Sequence, residues 1–167
     1  MGLDMWLTKK VCVKNYDFQE LKDRNTCLVK LGGKVREDIS PDRVCEVTEE
    51  ILYWRKANHI HKWFVDNVQK GVDNCGKYYV TKQQLMKLAE DCEFVVMNRK
   101  KLKGLEGSVL PTESGFFFGS TNYDEYYFDE CKRTAKTIRG IIDEIFMHCP
   151  EGLDEWRAGE FYYESSW

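Results

Sequence analysis

The chain contains no Cys-x-x-Cys pair, and its seven cysteines (Cys12, Cys27, Cys45, Cys75, Cys92, Cys131 and Cys149) follow no regular spacing. An odd, scattered set argues against a disulfide framework and a zinc knuckle, and for reduced thiols used as small core residues in a cytosol. No apolar run approaches the length that spans a bilayer, and the opening Met1-Gly2-Leu3-Asp4-Met5-Trp6-Leu7 lacks the basic flank and apolar stretch of a signal peptide. Nor does Gly2 have a Ser or Thr at the spacing that myristoylation needs. An excess of one charge is missing too: 25 Lys and Arg against 28 Asp and Glu give a net −3. That balance gives no overall field to draw nucleic acid or an anionic membrane, so a nucleic-acid contact would need a local patch. The expectation is a cytoplasmic protein with no membrane partner, no cofactor and no metal.

What is present is enough for one packed interior. Hydrophobic residues make up 43% of 167 positions and aromatics 14%, and a chain of this size buries roughly 70% of its unfolded surface. Met5, Leu7, Val11 and Val13 alternate loosely over Met5–Lys14 and predict a strand, or a strand with a bulge near Lys9-Lys10. Asn15–Asn25 reads as a loop. Gly32-Gly33 between Thr26–Leu31 and Lys34–Arg36 is a hairpin signal. Ser40-Pro41 caps a predicted helix reaching Val68, with residues 42–47 open to a short strand and the helix firmest from Glu49 onward. Thr81-x-x-Gln84 is a capping box ahead of Leu85, Leu88, Ala89, Cys92 and Val96 on one helical face. Arg99–Lys103 makes that helix's terminus basic, and a glycine-punctuated loop runs from Gly104 to Gly115. Phe116-Phe117-Phe118 reads as a buried strand or a hydrophobic plug. Ser120 or Thr121 caps a third helix, its stripe Tyr127, Cys131, Thr134, Ile138, Ile141, Ile142 and Ile145, ended by Pro150. The tail Glu160–Trp167 is strand-prone and is expected to pair with the N-terminal strand. With no internal repeat or low-complexity linker, the prediction is a single α+β domain over residues 1–167: a small antiparallel sheet of the N-terminal strand, the Gly-Gly hairpin and the C-terminal strand, packed with about three helices.

Tyr53–Val65 concentrates four aromatics, two histidines and three cations in thirteen residues. On a helical wheel Tyr53, Ala57, Ile60, Phe64 and Val68 form one apolar face and Val47, Ile51, Trp54 and Val65 a second. Between them Arg55, His59, Lys62 and Asp66 make a polar line, with Asn58 and His61 at its margins. Such a line either meets a phosphate or carboxylate, or is the solvated face of a core helix with Lys62 paired to Asp66. His59 and His61, two apart, do not have the i, i+4 spacing of a metal pair.

Leu110–Phe128 is the second constellation. Gly119-Ser120-Thr121 before a helix offers backbone N–H groups and hydroxyls to an anion, or simply caps the helix; no lysine follows as in a P-loop. Glu113 and Ser114 lie in the same loop, and Glu113, Asp124 or Asp129 is a candidate acid or base.

The chain resembles a group of proteins of tailed phages, prophages and bacteria. The resemblance rests on the Met-Gly-Leu-Asp-Met opening, on Tyr-Trp-Arg-Lys-Ala-Asn-x-Ile-His-x-Trp-Phe-Val at Tyr53–Val65, and on Leu-Pro-Thr-x-x-Gly-Phe-Phe-Phe-Gly-Ser-Thr-x-Tyr-Asp-Glu at Leu110–Glu125. It implies a phage or mobile-element setting in a bacterial host cytoplasm and no particular activity. The expectation is a non-catalytic protein that binds a host protein or a small anionic or nucleotide ligand, in host modulation or counter-defence, through Arg55, Asn58, His59, His61, Lys62, Glu113, Ser114, Ser120 and Thr121. Two alternatives stay open. One is a small enzyme on a phosphorylated or nucleotide substrate, with His59 or His61 as base and Glu113 or Asp124 as partner. The other is an assembly protein whose aromatics form a subunit contact.

Overall fold

Met5 and Leu7 of strand β1 (Asp4–Cys12) point into the core, while Asp4 and Trp6 face the other way, the period-2 pattern of a half-buried strand. The computed structural model describes residues 2–99, 109–148 and 158–167. The strand slips register between Leu7 and Thr8, two residues earlier than the expected bulge. Beyond β1 the chain makes a long excursion whose base is closed by Val13 N–H donating to Cys45 O at 3.0 Å. The Gly-Gly hairpin forms there as β2 (Lys30–Leu31) and β3 (Lys34–Val35), but as a ladder of its own, not part of the main sheet.

The predicted long helix is corrected. Ser40-Pro41 does start a helical turn, the 3-10 helix Pro41–Arg43, but Glu46–Arg55 is strand β4, antiparallel to β1, and the α-helix is confined to Asn58–Asn67, as α1. Val47, Ile51 and Trp54 are spaced four and three apart and so mimic a helical face. In the structure their β-branched and aromatic side chains serve a strand, with Leu52 and Trp54 inward and Tyr53 and Arg55 outward. The strand-to-helix corner turns at Lys56, whose φ is +59°.

β5 (Tyr78–Val80), α2 (Lys82–Asn98), α3 (Glu125–His148) and β6 (Glu160–Ser166) follow. Main-sheet order is β4-β1-β6-β5, antiparallel throughout, so the tail does pair with the N-terminal strand and also with β5. The fold is α+β. Helices cover one face of the sheet; the other carries Trp6 against Tyr53 and Tyr79 against Tyr162.

The predicted capping box at Thr81 is formed, with Thr81 Oγ1 accepting from Gln84 N and Gln84 Oε1 from Thr81 N. At α3 the cap is Asp124, whose Oδ1 accepts from Tyr127 N at 3.2 Å, and not Ser120 or Thr121. Its expected stripe is buried, with Ile142 only partly so. Of the basic run only Arg99 is described. It holds Glu125 with two hydrogen bonds and lies over the Phe128 ring. Lys100–Lys103, residues 104–108 of the loop and Pro150 fall outside the described residues.

In the core, Phe64 of α1 stacks on Tyr163 of β6 at 3.9 Å and 10°. Trp54 packs beside Phe64 and donates its indole N–H to Thr134 Oγ1 on α3 at 2.8 Å. Full burial of side chains this size contributes on the order of 1.5–3 kcal/mol each, and the indole bond keeps that burial from stranding a donor.

Candidate functional site

Asn58, the first residue of α1, is 1% exposed and uses both ends of its amide. Its Nδ2 donates to Phe118 O at 3.0 Å and Ser120 O at 2.8 Å, and its Oδ1 accepts from Glu113 N at 3.2 Å. One side chain thus fastens three points of the 111–124 loop. Leu3 N donates to Phe117 O, Thr112 Oγ1 to Thr121 O, and Tyr126 Oη to Arg55 O. Gly119, at φ +87°, lies so close to the corner that a Cβ there would sit 3.0 Å from Lys56 Cβ. The loop is anchored on every side, and it pushes Phe118 into the core while leaving Phe116 95% exposed. Phe116-Phe117-Phe118 is therefore a turn with one buried plug, not a strand.

Arg55 and Lys56 are exposed where this loop meets the end of β4. Arg55 Nε is 4.0 Å from Asp4 Oδ1, and Tyr53 Oη donates to the same carboxylate. That hydrogen bond raises the Tyr53 phenol above its ordinary range. Ser114 and Thr121 are exposed, Glu113 is half-buried, and Ser120 Oγ accepts from Asn122 N.

The polar line Arg55, His59, Lys62, Asp66 does not exist, because a strand ends and a helix begins inside it. Lys62 Nζ pairs with Asp66 Oδ2 at 3.0 Å, the solvated i, i+4 pair. His59 is 3% exposed, its ring 4.2 Å from that of Tyr127, and its Nε2 makes no hydrogen bond. The Cys92 contact first, and His59 after it, pull the Cys131 thiol down against the upward push of burial. Burial pushes the Cys92 thiol up.

His61 is fully buried, with Nδ1 2.7 Å from Tyr163 Oη and Nε2 3.0 Å from Asp73 Oδ2. A carboxylate only accepts, so Nε2 carries the proton and Nδ1 accepts from the Tyr163 hydroxyl. Burial raises the Tyr163 phenol far above its ordinary value, which keeps it a donor. Asp73 also accepts from Trp167 Nε1 at 3.2 Å. The relay ties α1, the loop before β5 and β6 together, and leaves His61 no free nitrogen for a substrate.

Of the expected residues, then, the structure brings together Arg55, Asn58, Glu113, Ser114, Ser120 and Thr121, and leaves His59, His61 and Lys62 out. Neither histidine bonds Glu113 or Asp124, the pairing a catalytic site would need. Asn58 proved central where it was expected only at the margin, and Asp73 and Tyr163 went unforeseen as partners of His61. A groove of about 540 Å³ between β4 and α3, lined by Glu49, Ile51, Arg133, Lys136, Gly140 and Glu144 among others, includes none of the expected residues. Among the described residues no group of three or more His, Cys, Asp or Glu is placed to hold a metal ion, and no helix is long and apolar enough to cross a membrane.

No family model, curated protein or solved structure matches the chain.

Proposed function

We propose that this is a non-catalytic binding protein that docks a partner protein on the loop led by Phe116. The observation that carries the reading is the contrast between Phe116, 95% exposed, and a loop held by the three Asn58 hydrogen bonds. An apolar ring left in water on a mobile loop would lose much of its binding energy to ordering. On an anchored loop that cost is already met, and aromatic side chains are the usual anchors of protein interfaces. Arg55 and Lys56, exposed beside Gly119, favour acidic groups on the partner. The resemblance to phage and prophage proteins supports a host protein as the partner, met in the bacterial cytoplasm during host modulation or counter-defence. The catalytic reading loses support because both imidazoles are buried and neither bonds Glu113 or Asp124.

The test is a photo-crosslinking amino acid placed at Phe116, with Phe94 on α2 as the control, in cells that express the full chain. A discrete adduct from position 116, weakened by Arg55→Glu with Lys56→Glu, is expected. No adduct at 116, or the same adducts from 94, overturns the reading. An adduct at twice the mass of the chain assigns the loop to self-association instead.

A further inference from the structure

The face of the main sheet that the helices leave open carries two ring pairs, Trp6 with Tyr53 at 5.8 Å and Tyr79 with Tyr162 at 5.9 Å. These rings reach solvent, Tyr53 being 39% and Tyr79 54% exposed. Around Tyr162 the chain supplies its own cations, with Lys10 Nζ 5.5 Å and Lys77 Nζ 5.3 Å from the ring centre. Trp6 has the better ring for such a contact, yet among the described residues no cation lies over it. The carboxylates of this face divide in the same way. Asp4 accepts from Tyr53 Oη, Glu46 accepts from Lys10 Nζ at 2.7 Å, and Glu160 accepts from Tyr162 Oη at 2.7 Å. Glu164, opposite Trp6 on β6, and Glu50, opposite Thr8 on β4, are exposed. Among the described residues neither has a hydrogen-bond or ion-pair partner. An indole, a phenol ring and two uncommitted carboxylates thus occupy adjoining positions on three strands.

We propose that this open sheet face is a second docking surface, independent of the Phe116 loop, and that its occupant is an arginine-bearing peptide segment of a partner protein. Neighbouring strands lie about 4.8 Å apart, so a side chain seated on the Trp6 indole has a carboxylate in reach on either hand. A guanidinium suits the place because it stacks on an aromatic ring through its flat face while its N–H groups point outward in the plane, toward Glu164 and Glu50. An ammonium makes the cation–ring contact but cannot fork to two carboxylates, so lysine is the weaker occupant. Nucleic acid is excluded by the same charges that favour arginine: its phosphates would meet unpaired carboxylates, and the two cations nearest the rings are already drawn to Tyr162. The exposed aromatics supply apolar area for the rest of the segment.

The experiment titrates the full chain into a fluorescein-labelled peptide of alternating arginine and glycine and follows anisotropy, with lysine–glycine and glutamate–glycine peptides and a single-stranded oligonucleotide alongside. Saturable binding of the arginine peptide is expected, roughly fivefold tighter than the lysine peptide, with none for the glutamate peptide or the oligonucleotide. Glu50→Gln combined with Glu164→Gln should raise its Kd about tenfold, and Trp6→Leu should do the same. Added salt should weaken the wild type more than the double variant. Phe116→Ala should leave binding unchanged, which separates this surface from the loop. The two glutamines replace exposed side chains without partners, so Tm should not move, and this variant decides the matter if Trp6→Leu fails to fold. No binding of the arginine peptide at millimolar concentration, undiminished binding by the double glutamine variant, loss of binding with Phe116→Ala, or tighter binding of the oligonucleotide overturns the proposal.

Discussion

The Tyr163 hydroxyl donates to His61 Nδ1 at 2.7 Å across 102 residues of chain. Tyr163→Phe keeps the ring that stacks on Phe64 and removes only this donor, leaving a buried acceptor unpaired. The expected loss is about 1–3 kcal/mol of unfolding free energy, read by urea denaturation. Asp73→Asn should cost less, because the Asp73 side chain is 25% exposed and water replaces part of what is lost.

Asn58→Ala removes three hydrogen bonds to the loop at once. At roughly 1 kcal/mol each, the variant should lose about 2–3 kcal/mol, and the Glu113 amide should exchange its hydrogen far faster than in the wild type. Unchanged exchange at Glu113 would mean that the loop is held by other contacts.

Gly119→Ala should destabilise by about 1 kcal/mol or more, because a Cβ there must adopt φ +87° while meeting Lys56 at 3.0 Å. Thermal denaturation measures it. Gly140→Ala is the contrast: nothing lies within 4 Å of a Cβ at that position in α3, so alanine should stabilise the helix by a few tenths of a kcal/mol up to about 1.

Arg139 grips the Glu93 carboxylate through Nε at 3.0 Å and Nη2 at 2.9 Å, and that hydrogen bonding holds the Glu93 acid below its ordinary range. A folded-state pKa lowered in this way contributes stability above the unfolded value, and the contribution disappears as pH falls through the depressed one. Both side chains are about a third exposed, so solvent screening limits the effect to under about 1 kcal/mol. Glu93→Gln should lower stability slightly at neutral pH and flatten the acid limb of a pH–stability curve, with both changes shrinking in high salt.

Elements whose cause is local were legible in the sequence. The Thr81 and Gln84 side chains cap α2 through bonds that span three residues, and the α3 stripe shows its face through spacing alone. The tail's apolar, strand-prone residues likewise announced a strand. β4 was misread because two periods fit it: Val47, Ile51 and Trp54 satisfy the helical spacing, and only the partner strand β1 makes the strand win. The same error put Arg55 in line with His59. Asp73 and Tyr163 could not be found as partners of His61, since the first comes from a loop after α1 and the second from the far end of the sheet. Asn58, read inside the longer helix, gave no clue to its acceptors, which lie about sixty residues on.

β6 lies between β1 and β5, so the sheet acquires an interior strand from a segment that follows every other described element. Thr8 and Tyr162, linked across the β1–β6 boundary, are 154 positions apart. On the ribosome, β1 therefore emerges with one edge covered by β4 and the other bare until translation has passed Tyr162. Loop closure over such a distance is slow. The nascent protein holds an open, pairing-competent strand until β6 emerges, a window in which chaperone binding or pairing with a neighbouring chain competes with folding.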